Sequence, residues 1–575
     1  MARFAPPQTP GEGPGFLAIA RAALVLLVVM GVVGAIVYSA YLRYTDLRPP
    51  EIAIDPVEIE VDPTGRKLSA GMSWIAREHG MWHLHLEGSP SSIGWAHGAL
   101  AGQLFHRLDS RIEDLLRRRY PGDFEAWSAT SMVRWNYRDA DAALAPSERE
   151  ELAAYAAGLP EAAGAEFSGY QRLLLYQCFQ ELSDTLDDVV IEGNMFASTS
   201  KPGRKGDAPG NLVVGRSLSV DLGEGFGPLD GDRVISFYYP DGKYPFVSVG
   251  WPGMTGVTTG INARGILVAL NTTRTDDAGD EGLPVSLVLR RVLEEADTLD
   301  SAIEILEGPD VRTSAAVLIA DGMARRSAIV EMAPRAKEEN RQVRGEKDSS
   351  VWSTNHLVRD AFERDAENDR LRRSTSSGYR YERLGELIAA EPVTPDRAVE
   401  ILRDRLGKEG LALGLGNPNA IDNLARSHAI VVDTTSMVMW VSQGPSALGK
   451  FRAFDLRYWL MRKGDRPAPR EDIAPDRLLH SEAYHDYEEA LDAITYAKDL
   501  LARGLPKRAQ TAASVALTLA PEIGSLHRLL GDIERELDNP EAALKHYKRY
   551  LELVPARLRD QERVRGIMEE LGGSG

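Results

Sequence analysis

The chain is nearly free of cysteine. Its 575 residues contain one, Cys178, so no disulfide can form within the chain and no cysteine-based zinc site can assemble. Cys178 lies in the segment QRLLLYQCFQELSD, where Leu174, Leu175 and Leu182 share its helical face. A lone cysteine on such an apolar stripe is typically a small core residue. We therefore predict a fold that depends on apolar burial, with no metal and no cofactor.

The chain also has fewer basic than acidic residues. Lys and Arg number 67 against 85 Asp and Glu, which gives a formal net charge of -18. A surface of that sign repels phosphate backbones, so we expect no nucleic-acid partner. An apolar content of 43% is typical of a folded protein. A chain of this length corresponds to about three or four domains.

Long apolar runs are confined to one segment near the N-terminus. Ala22–Leu42 contains 21 residues without a charge, enough to cross a hydrocarbon layer of about 30 Å. A cleaved signal peptide is the alternative, but its apolar core is shorter, at about 7–15 residues. We predict a short tail over 1–15 and a single-pass transmembrane signal anchor over 16–42. The large domain that follows favours a body outside the cytoplasm.

The remaining chain divides by composition. A Pro-rich, acidic segment over 43–68 predicts an extended linker. Residues 69–462 alternate amphipathic helical blocks with β runs bounded by glycine, which predicts an α+β domain of sheets covered by helices. A second polar linker over 463–484 leads to an all-α domain over 485–572.

The C-terminal domain contains an internal repeat. Small and aromatic residues and a proline recur at a constant offset of 34: Ala509 and Ala543, Ala513 and Tyr547, Ala516 and Tyr550, Pro521 and Pro555. This is the period of tetratricopeptide repeats, in which small residues let paired helices approach closely. An ordinary helical hairpin bundle is the alternative. We predict tetratricopeptide hairpins that recruit a protein partner.

The segment that bears most on function is IEGNMFASTSKPG, Ile191–Gly203. Together with NLVVGRSLSVD it forms two β runs joined by a Gly- and Pro-rich connector, which predicts a hairpin with a long loop. SSIGWAHGAL lies upstream, and GINARGILVALN and STNHLV lie downstream. These five pieces, in this order, resemble the acyl-coenzyme A:6-aminopenicillanic-acid acyltransferase family. These proteins are relatives of the choloylglycine hydrolases among the N-terminal-nucleophile hydrolases.

The resemblance implies a four-layer αββα sandwich and a linear amide as substrate. In such enzymes the chain cuts its own Gly-Cys bond, the freed cysteine attacks the amide with its α-amine as base, and an acyl-enzyme forms. Gly193 matches the residue before the cut. Asn194 stands at the nucleophile position, where a carboxamide is a poor nucleophile.

Further site residues are implied in the same way. Arg216 matches an arginine of the second strand that holds the α-amine and the substrate. Ser219 stands where the family has aspartate, and Asp221, on the same strand face, is the predicted substitute. Asn262 and Asn355 match asparagines that supply hydrogen bonds to the oxyanion.

Asn194 leaves three hypotheses open. Ser198, four residues on and on the same strand face, would attack through its hydroxyl. Cys178 would attack in the second hypothesis. In the third, the site is degenerate and the domain binds without cutting. We therefore predict a membrane-anchored linear-amide hydrolase or acyltransferase that acts on a small amide or acyl substrate, or alternatively a non-catalytic scaffold on the same fold.

Overall fold

The computed structural model describes residues 16–160, 167–178, 181, 190–199, 210–221, 229–277, 279, 281–462 and 466–572. Its strands are β1 (Ile59–Val61), β2 (Lys67–Ala70), β3 (Ser73–Glu78), β4 (Met81–Gly88), β5 (Val190–Thr199), β6 (Leu212–Asp221), β7 (Val234–Pro240), β8 (Phe246–Gly250), β9 (Thr259–Asn262), β10 (Ile266–Thr272), β11 (Ala315–Asp321), β12 (Arg326–Met332), β13 (Arg341–Arg344), β14 (Ser350–Ser353), β15 (His428–Asp433), β16 (Val438–Ser442) and β17 (Phe451–Asp455).

The α-helices of the described residues fall into three groups along the chain. They are α1 (Phe16–Thr45), α2 (Pro90–Arg119), α3 (Asp123–Asn136), α4 (Pro146–Gly158) and α5 (Gly169–Gln177); α6 (Val285–Glu295), α7 (Leu299–Glu307), α8 (Ala366–Ser374), α9 (Ser377–Ala390), α10 (Pro395–Leu402) and α11 (Leu456–Met461); and α12 (Glu482–Ala502), α13 (Pro506–Leu519), α14 (Gly524–Glu536), α15 (Pro540–Leu553) and α16 (Leu558–Glu570).

The strands of the described residues form two sheets. The larger has eleven strands in the order β1-β2-β3-β4-β7-β8-β9-β10-β11-β12-β13, and the smaller has six in the order β14-β5-β6-β15-β16-β17. Neighbouring strands are antiparallel, except that β4 and β7 run parallel. This parallel pair needs a long crossover, and the segment between its strands contains α2 to α5 and the hairpin of β5 and β6.

Side chains of alternating strand residues build the core on both faces of each sheet. Between the sheets, Met195 and Val214 of the smaller sheet pack with Leu267 and Leu318 of the larger one. The outer face of the larger sheet is covered by α2, α6 and α7. The outer face of the smaller sheet is covered by α9 and α10. The predicted α+β fold with four αββα layers is therefore confirmed.

The edge of the larger sheet extends into the segment predicted as a linker over 43–68. β1 lies wholly within that segment and pairs with β2, with Ile59 opposite Ala70. All three residues of β1 are exposed, and the alternation of apolar and acidic residues over 57–61 is short and follows Pro56, which favours the interpretation as a linker.

The N-terminal helix α1 contains an apolar span over Ala23–Thr45, long enough to cross a membrane. None of the residues in its most apolar part is buried by the described protein. A signal sequence passes the same test of length and composition, so its role as an anchor stays a prediction.

The C-terminal helices α12 to α16 form hairpins that rest on the sandwich. Pro506 and Pro540 begin α13 and α15, which places equivalent helices at the offset seen in the sequence. Asn417 of the sandwich donates a hydrogen bond to Leu553 O at 2.6 Å, and Leu448 joins the apolar core of the hairpins. These contacts make the hairpins part of one continuous body with the sandwich; their assignment as tetratricopeptide repeats stays a prediction.

A substitution at Gly531 would test how closely α14 and α15 approach each other. A Cβ on Gly531 would lie 2.4 Å from the ring of Tyr547, whereas one on Gly566 of α16 meets no atom within 4 Å. We expect Gly531→Ala to lower the free energy of unfolding of the helical region by roughly 1 to 3 kcal/mol because the ring must move. Gly566→Ala is the matched control and should raise it by about 0.5–1 kcal/mol. Urea unfolding followed by circular dichroism measures both, and equal effects would contradict the packing.

Candidate active site

The candidate site lies on β5 and β6, which pair edge to edge as predicted. Asn194 is opposite Ser217, and Met195 is opposite Arg216. The Gly193–Asn194 peptide thus lies inside a continuous strand that begins at Val190. Side chains alternate across this strand, so Gly193 faces the larger sheet and Asn194 faces the helices outside the smaller sheet.

Arg216 occupies the space between the sheets next to Gly193. Its Nη1 donates to Asn271 Oδ1 at 2.6 Å and to Ser217 O at 2.9 Å, and Nη2 donates to Leu270 O. A Cβ on Gly193 would lie 1.8 Å from Asn271 Oδ1 and 2.3 Å from Arg216 Nη1. A glycine is therefore required at position 193, because these two side chains fill the space of any larger residue.

Asn194 is locked on the other face of β5. Its Nδ2 donates to Ser217 Oγ and to Ile421 O, both at 3.1 Å, and Arg380 Nη1 donates to its Oδ1 at 2.5 Å. The side chain is 0% exposed. Both ends of the carboxamide are thus occupied in a closed environment.

The carbonyl of Gly193 is surrounded by donors. It accepts hydrogen bonds from Arg380 Nη1 at 3.1 Å and from Asn271 Nδ2 at 3.4 Å. Asn355 binds the flanking backbone: its Oδ1 accepts from Gly193 N at 2.9 Å, and its Nδ2 donates to Ile191 O at 3.1 Å. This arrangement polarises a peptide carbonyl in the way that an oxyanion site does.

Buried charge accompanies these hydrogen bonds. Arg216, Arg380 and Arg426 are among the largest fully buried side chains, and Glu192 lies 3.7 Å from Arg380 and 3.9 Å from Arg426. Burial by itself raises the pKa of Glu192, but Arg380, Arg426 and Arg557 together lower it below its ordinary value. Glu192 is therefore ionised at neutral pH and compensates the two nearby guanidinium groups.

Burial lowers the pKa of Arg216 to about 9, and the repulsion of Arg426 and Arg380 adds to this effect. Burial also lowers the pKa of Arg426 to about 10. Both values lie above neutral pH, so both side chains carry a proton there. The peptide between Gly193 and Asn194 thus sits in a positive electrostatic environment.

The predicted site residues do not all meet. Asn194, Arg216 and Asn355 come together, whereas Asn262 faces the helices on the outer side of the larger sheet. There its Nδ2 donates to Leu293 O at 2.9 Å and to Ala296 O at 2.8 Å, and its Oδ1 closes the turn between β9 and β10. The sheet itself separates Asn262 from β5, so its role here is to tie that turn to α6.

The candidate nucleophiles lie apart from the cluster. Ser198 is four residues from Asn194, about 13 Å along the strand, and bonds to Ser350 Oγ at 2.8 Å. Cys178 is buried, and that burial raises the pKa of its thiol far above the ordinary value. Ser219, where the resemblance expects aspartate, donates to Ala425 O at 2.7 Å. The predicted substitute, Asp221, ends β6, but its side chain lies outside the described part of the protein.

Three members of the cluster were not in the predicted site. Asn271 lies in the same β run as Asn262, at the far end of β10, with the strand parity that turns it toward the smaller sheet. In the sequence, Arg380 cannot be told from other arginines on helices, and Glu192 cannot be told from other carboxylates on strands. Strand parity was available from the sequence for Asn271; no sequence signal marked Arg380 or Glu192.

A cavity begins at His356, the residue that follows Asn355, and no residue of the cluster lines it. It has a volume of 630 Å³ and is lined from the segment that follows Asn355, with side chains that include His356, Phe362, Arg372, Arg373, Tyr379 and Tyr381. Burial lowers the pKa of His356 to about 3, so the imidazole is neutral at physiological pH. Among the described residues, no group of three or more His, Cys, Asp or Glu side chains is arranged to hold a metal ion.

Glu192 offers a direct test of the buried charges. We expect Glu192→Gln to lower the free energy of unfolding at pH 7 by about 3 kcal/mol or more, because Arg380 and Arg426 lose their carboxylate. The folded-state pKa of Glu192 is lowered, so its stabilisation is present above the unfolded pKa of about 4.3 and is lost as pH falls through the folded value. The difference between variant and wild type should therefore shrink in acid. Chemical denaturation at several pH values measures this.

Glu367→Gln is the matched control, since Glu367 is a carboxylate paired with Arg370 at the surface. Its removal should change stability little at any pH. A loss in Glu192→Gln no larger than in this control would contradict the charge cluster.

Solved structures with a similar fold include an N-acylethanolamine-hydrolyzing acid amidase ortholog of Caenorhabditis elegans, with 14% identity, a TM-score of 0.31, and coverage of 42% of this chain and 93% of that one. A C2A mutant of the conjugated bile acid hydrolase of Clostridium perfringens shows 11% identity, a TM-score of 0.33, and coverage of 48% and 97%.

A curated relative is an uncharacterised protein of Archaeoglobus fulgidus, 25% identical over 278 residues, which are 46% of this chain and 44% of that protein. This chain therefore spans less than half of that relative's length.

The sequence model of the acyl-coenzyme A:6-aminopenicillanic acid acyl-transferase family matches residues 232–444. The match includes Asn271, Asn355 and Arg380, and begins after the strands that carry Asn194 and Arg216. The predicted resemblance to the acyl-coenzyme A:6-aminopenicillanic acid acyl-transferase family is thus confirmed over residues 232–444.

Proposed function

We propose that this chain is a membrane-anchored binding protein built on an amide hydrolase or acyltransferase fold, and that it holds a small acyl or amide compound without forming an acyl-enzyme. The observation that carries this proposal is Asn194. It stands where the family resemblance requires a nucleophile, is 0% exposed, and has both ends of its carboxamide hydrogen-bonded. A carboxamide in that state supplies neither a thiolate nor an alkoxide for attack.

The cavity beside the cluster supports a binding role. His356, which follows Asn355 directly, forms part of its wall, and Phe362, Tyr379 and Tyr381 add aromatic surface that suits an acyl chain. Arg372 and Arg373 suit a carboxylate or an amide oxygen. Asp369 lies in the same wall and pairs with both arginines, so a ligand carboxylate would compete with it.

Amide hydrolysis or acyl transfer is the second candidate function. The observation in its favour is the set of donors on Gly193 O, from Arg380 at 3.1 Å and Asn271 at 3.4 Å. These donors would stabilise negative charge on a carbonyl oxygen. This function needs a nucleophile other than Asn194. The hydroxyl that the sequence analysis offers in its place, that of Ser198, is hydrogen-bonded to Ser350.

Anchoring and partner recruitment belong to the same proposal. The exposed apolar span of α1 would hold the protein in a membrane, with the sandwich outside the cytoplasm. The C-terminal hairpins present exposed large side chains away from their core, namely Leu491, Tyr496, Leu505 and Val515. Such side chains on a helical hairpin surface suit a protein partner.

The proposal predicts an intact and unreactive chain. Intact-mass analysis of the purified full-length protein should show no cut at Gly193–Asn194 or before Ser198. A β-lactone or other acylating probe should add no mass to the native protein. Two fragments that meet at either position, or a labelled hydroxyl on β5, would establish the second candidate function and remove the first.

The cavity predicts a specific effect of one arginine. We expect Arg372→Gln to weaken the binding of a fluorescent N-acyl amino acid by about tenfold, the loss of one charge-assisted hydrogen bond. Arg370→Gln is the matched control, because Arg370 lies on the same helix, pairs with Glu367 and does not line the cavity. Fluorescence anisotropy measures both affinities. Equal losses in the two variants would show that binding occurs elsewhere on the protein.

A further inference from the structure

Helix α3 carries an aromatic face that stays largely exposed to solvent in the described protein. The exposed fractions are 75% for Phe124, 45% for Trp127, 59% for Met132 and 48% for Trp135. Their spacing along the helix places all four on one side, since successive residues rotate by about 100°. We call this surface, formed by Phe124, Trp127, Met132 and Trp135, the aromatic face of α3.

The aromatic face touches the end of α1. The ring of Trp127 lies 6.2 Å from that of Tyr38, and Trp127 Nε1 donates to Tyr38 Oη at 3.4 Å. Trp135 stacks on Tyr41 at 6.4 Å, and Tyr41 Oη donates to Ser131 O at 2.5 Å. Because these contacts involve both helices at several points, α3 is held beside α1 in a defined position.

The contacts also give the direction of α3 along α1. Trp127 meets Tyr38, whereas Trp135 meets Tyr41 and Tyr44, so the two helices run the same way. Tyr38 lies about 10 Å before Thr45, the last residue of the apolar span. Phe124 precedes Trp127, and their rings lie 5.6 Å apart. The N-terminal end of α3 therefore lies about 10 Å or more inside the end of the apolar span, whereas Trp135, beside Tyr41 and Tyr44, lies close to that end.

Several basic side chains flank this face, together with the acidic Asp123 and Glu125 in the first turn of α3. Helix α2 ends on Arg117, Arg118 and Arg119, only a few residues before α3 begins. Arg43 lies in the last turn of α1, and the guanidinium of Arg138 lies 4.6 Å above the ring of Trp135. Tryptophan and tyrosine rings with flanking arginines are the composition that proteins place at a membrane–water interface. The overall charge of -18 makes this basic concentration a local exception.

We propose that the aromatic face of α3 lies at the interface of the membrane that α1 crosses, with Trp135 at the headgroups and the N-terminal end of the helix reaching toward the hydrocarbon. A lipid surface is the partner that fits, because the face continues directly from the apolar span and is rimmed by arginines. The sandwich is thereby held against the bilayer by two helices, which restricts its orientation. This inference depends on the membrane anchoring that forms part of the proposed function.

A fluorescent label at position 124 tests the proposal in the full chain. Phe124→Cys is labelled with an environment-sensitive dye after reconstitution into phosphatidylcholine vesicles, with and without phosphatidylglycerol. Met323→Cys is the control, because Met323 is 78% exposed and lies in the turn between β11 and β12. Cys178 is buried and stays unlabelled in the native protein.

We expect the dye at position 124 to emit at shorter wavelength in vesicles and to be quenched by brominated lipid, with a larger effect when the anionic lipid is present. The dye at position 323 should show neither change. Flotation with the vesicles and no quenching at position 124 would overturn the inference and leave the anchoring intact. A wavelength shift that persists in detergent without lipid quenching would assign the face to a protein partner or a second copy. Absence of flotation would overturn both the anchoring and this inference.

Discussion

Three guanidinium groups buried around one peptide bond constrain the whole domain. Arg216, Arg380 and Arg426 lose their water on folding, which is tolerated only if each finds compensating oxygen atoms. Those oxygens come from Glu192, from Asn271 and from backbone carbonyls on both sheets. Arg216 is satisfied only when the two sheets close on each other, and Arg380 only when α9 packs against β5.

In this cluster, the groups that hydrogen-bond a carbonyl oxygen are present, whereas the position expected to attack a carbonyl carbon is not reactive. Asn271 and Arg380 donate to the oxygen of Gly193, as oxyanion donors would. The neighbouring position holds Asn194, whose side-chain amide connects β6 to the segment at Ile421 through hydrogen bonds. A site can thus keep the electrostatics of an acyl-transfer centre while its reactive position serves to hold the strand in place. The cavity begins at His356, the residue after Asn355, and the side chains of the cluster itself do not line it.

The terminal helices are not independent of this centre. Arg557, between α15 and α16, contributes to the lowered pKa of Glu192, and Ala556 forms part of the cavity wall. At the other end, α1 is joined to α3 through stacked aromatic rings. The C-terminal hairpins thus contact the site directly, whereas α1 contacts the domain through α3.

Local pattern was sufficient for much of this protein. Alternation in β5 and β6, the Gly-bounded β runs, the apolar span of α1 and the constant offset in the C-terminal helices each reflect short-range periodicity. β1 was missed because its short alternation lies in a Pro-rich, acidic segment and its residues are exposed at the sheet edge. Asn262 and Asn271 show most clearly where local pattern is insufficient. Both lie in one β run of the sequence, yet only Asn271 faces the smaller sheet.

By itself, the sequence determined the layers, the pairing of Asn194 with the strand of Arg216, and the absence of a thiol from position 194. The sequence contained the strand parity of Asn271, but the tertiary structure alone decided that this residue meets Gly193 and that Arg380 and Glu192 complete the cluster. The physical reason is that the stacking of one sheet on another selects one face and one end of each strand, and that selection depends on contacts between residues far apart in the chain.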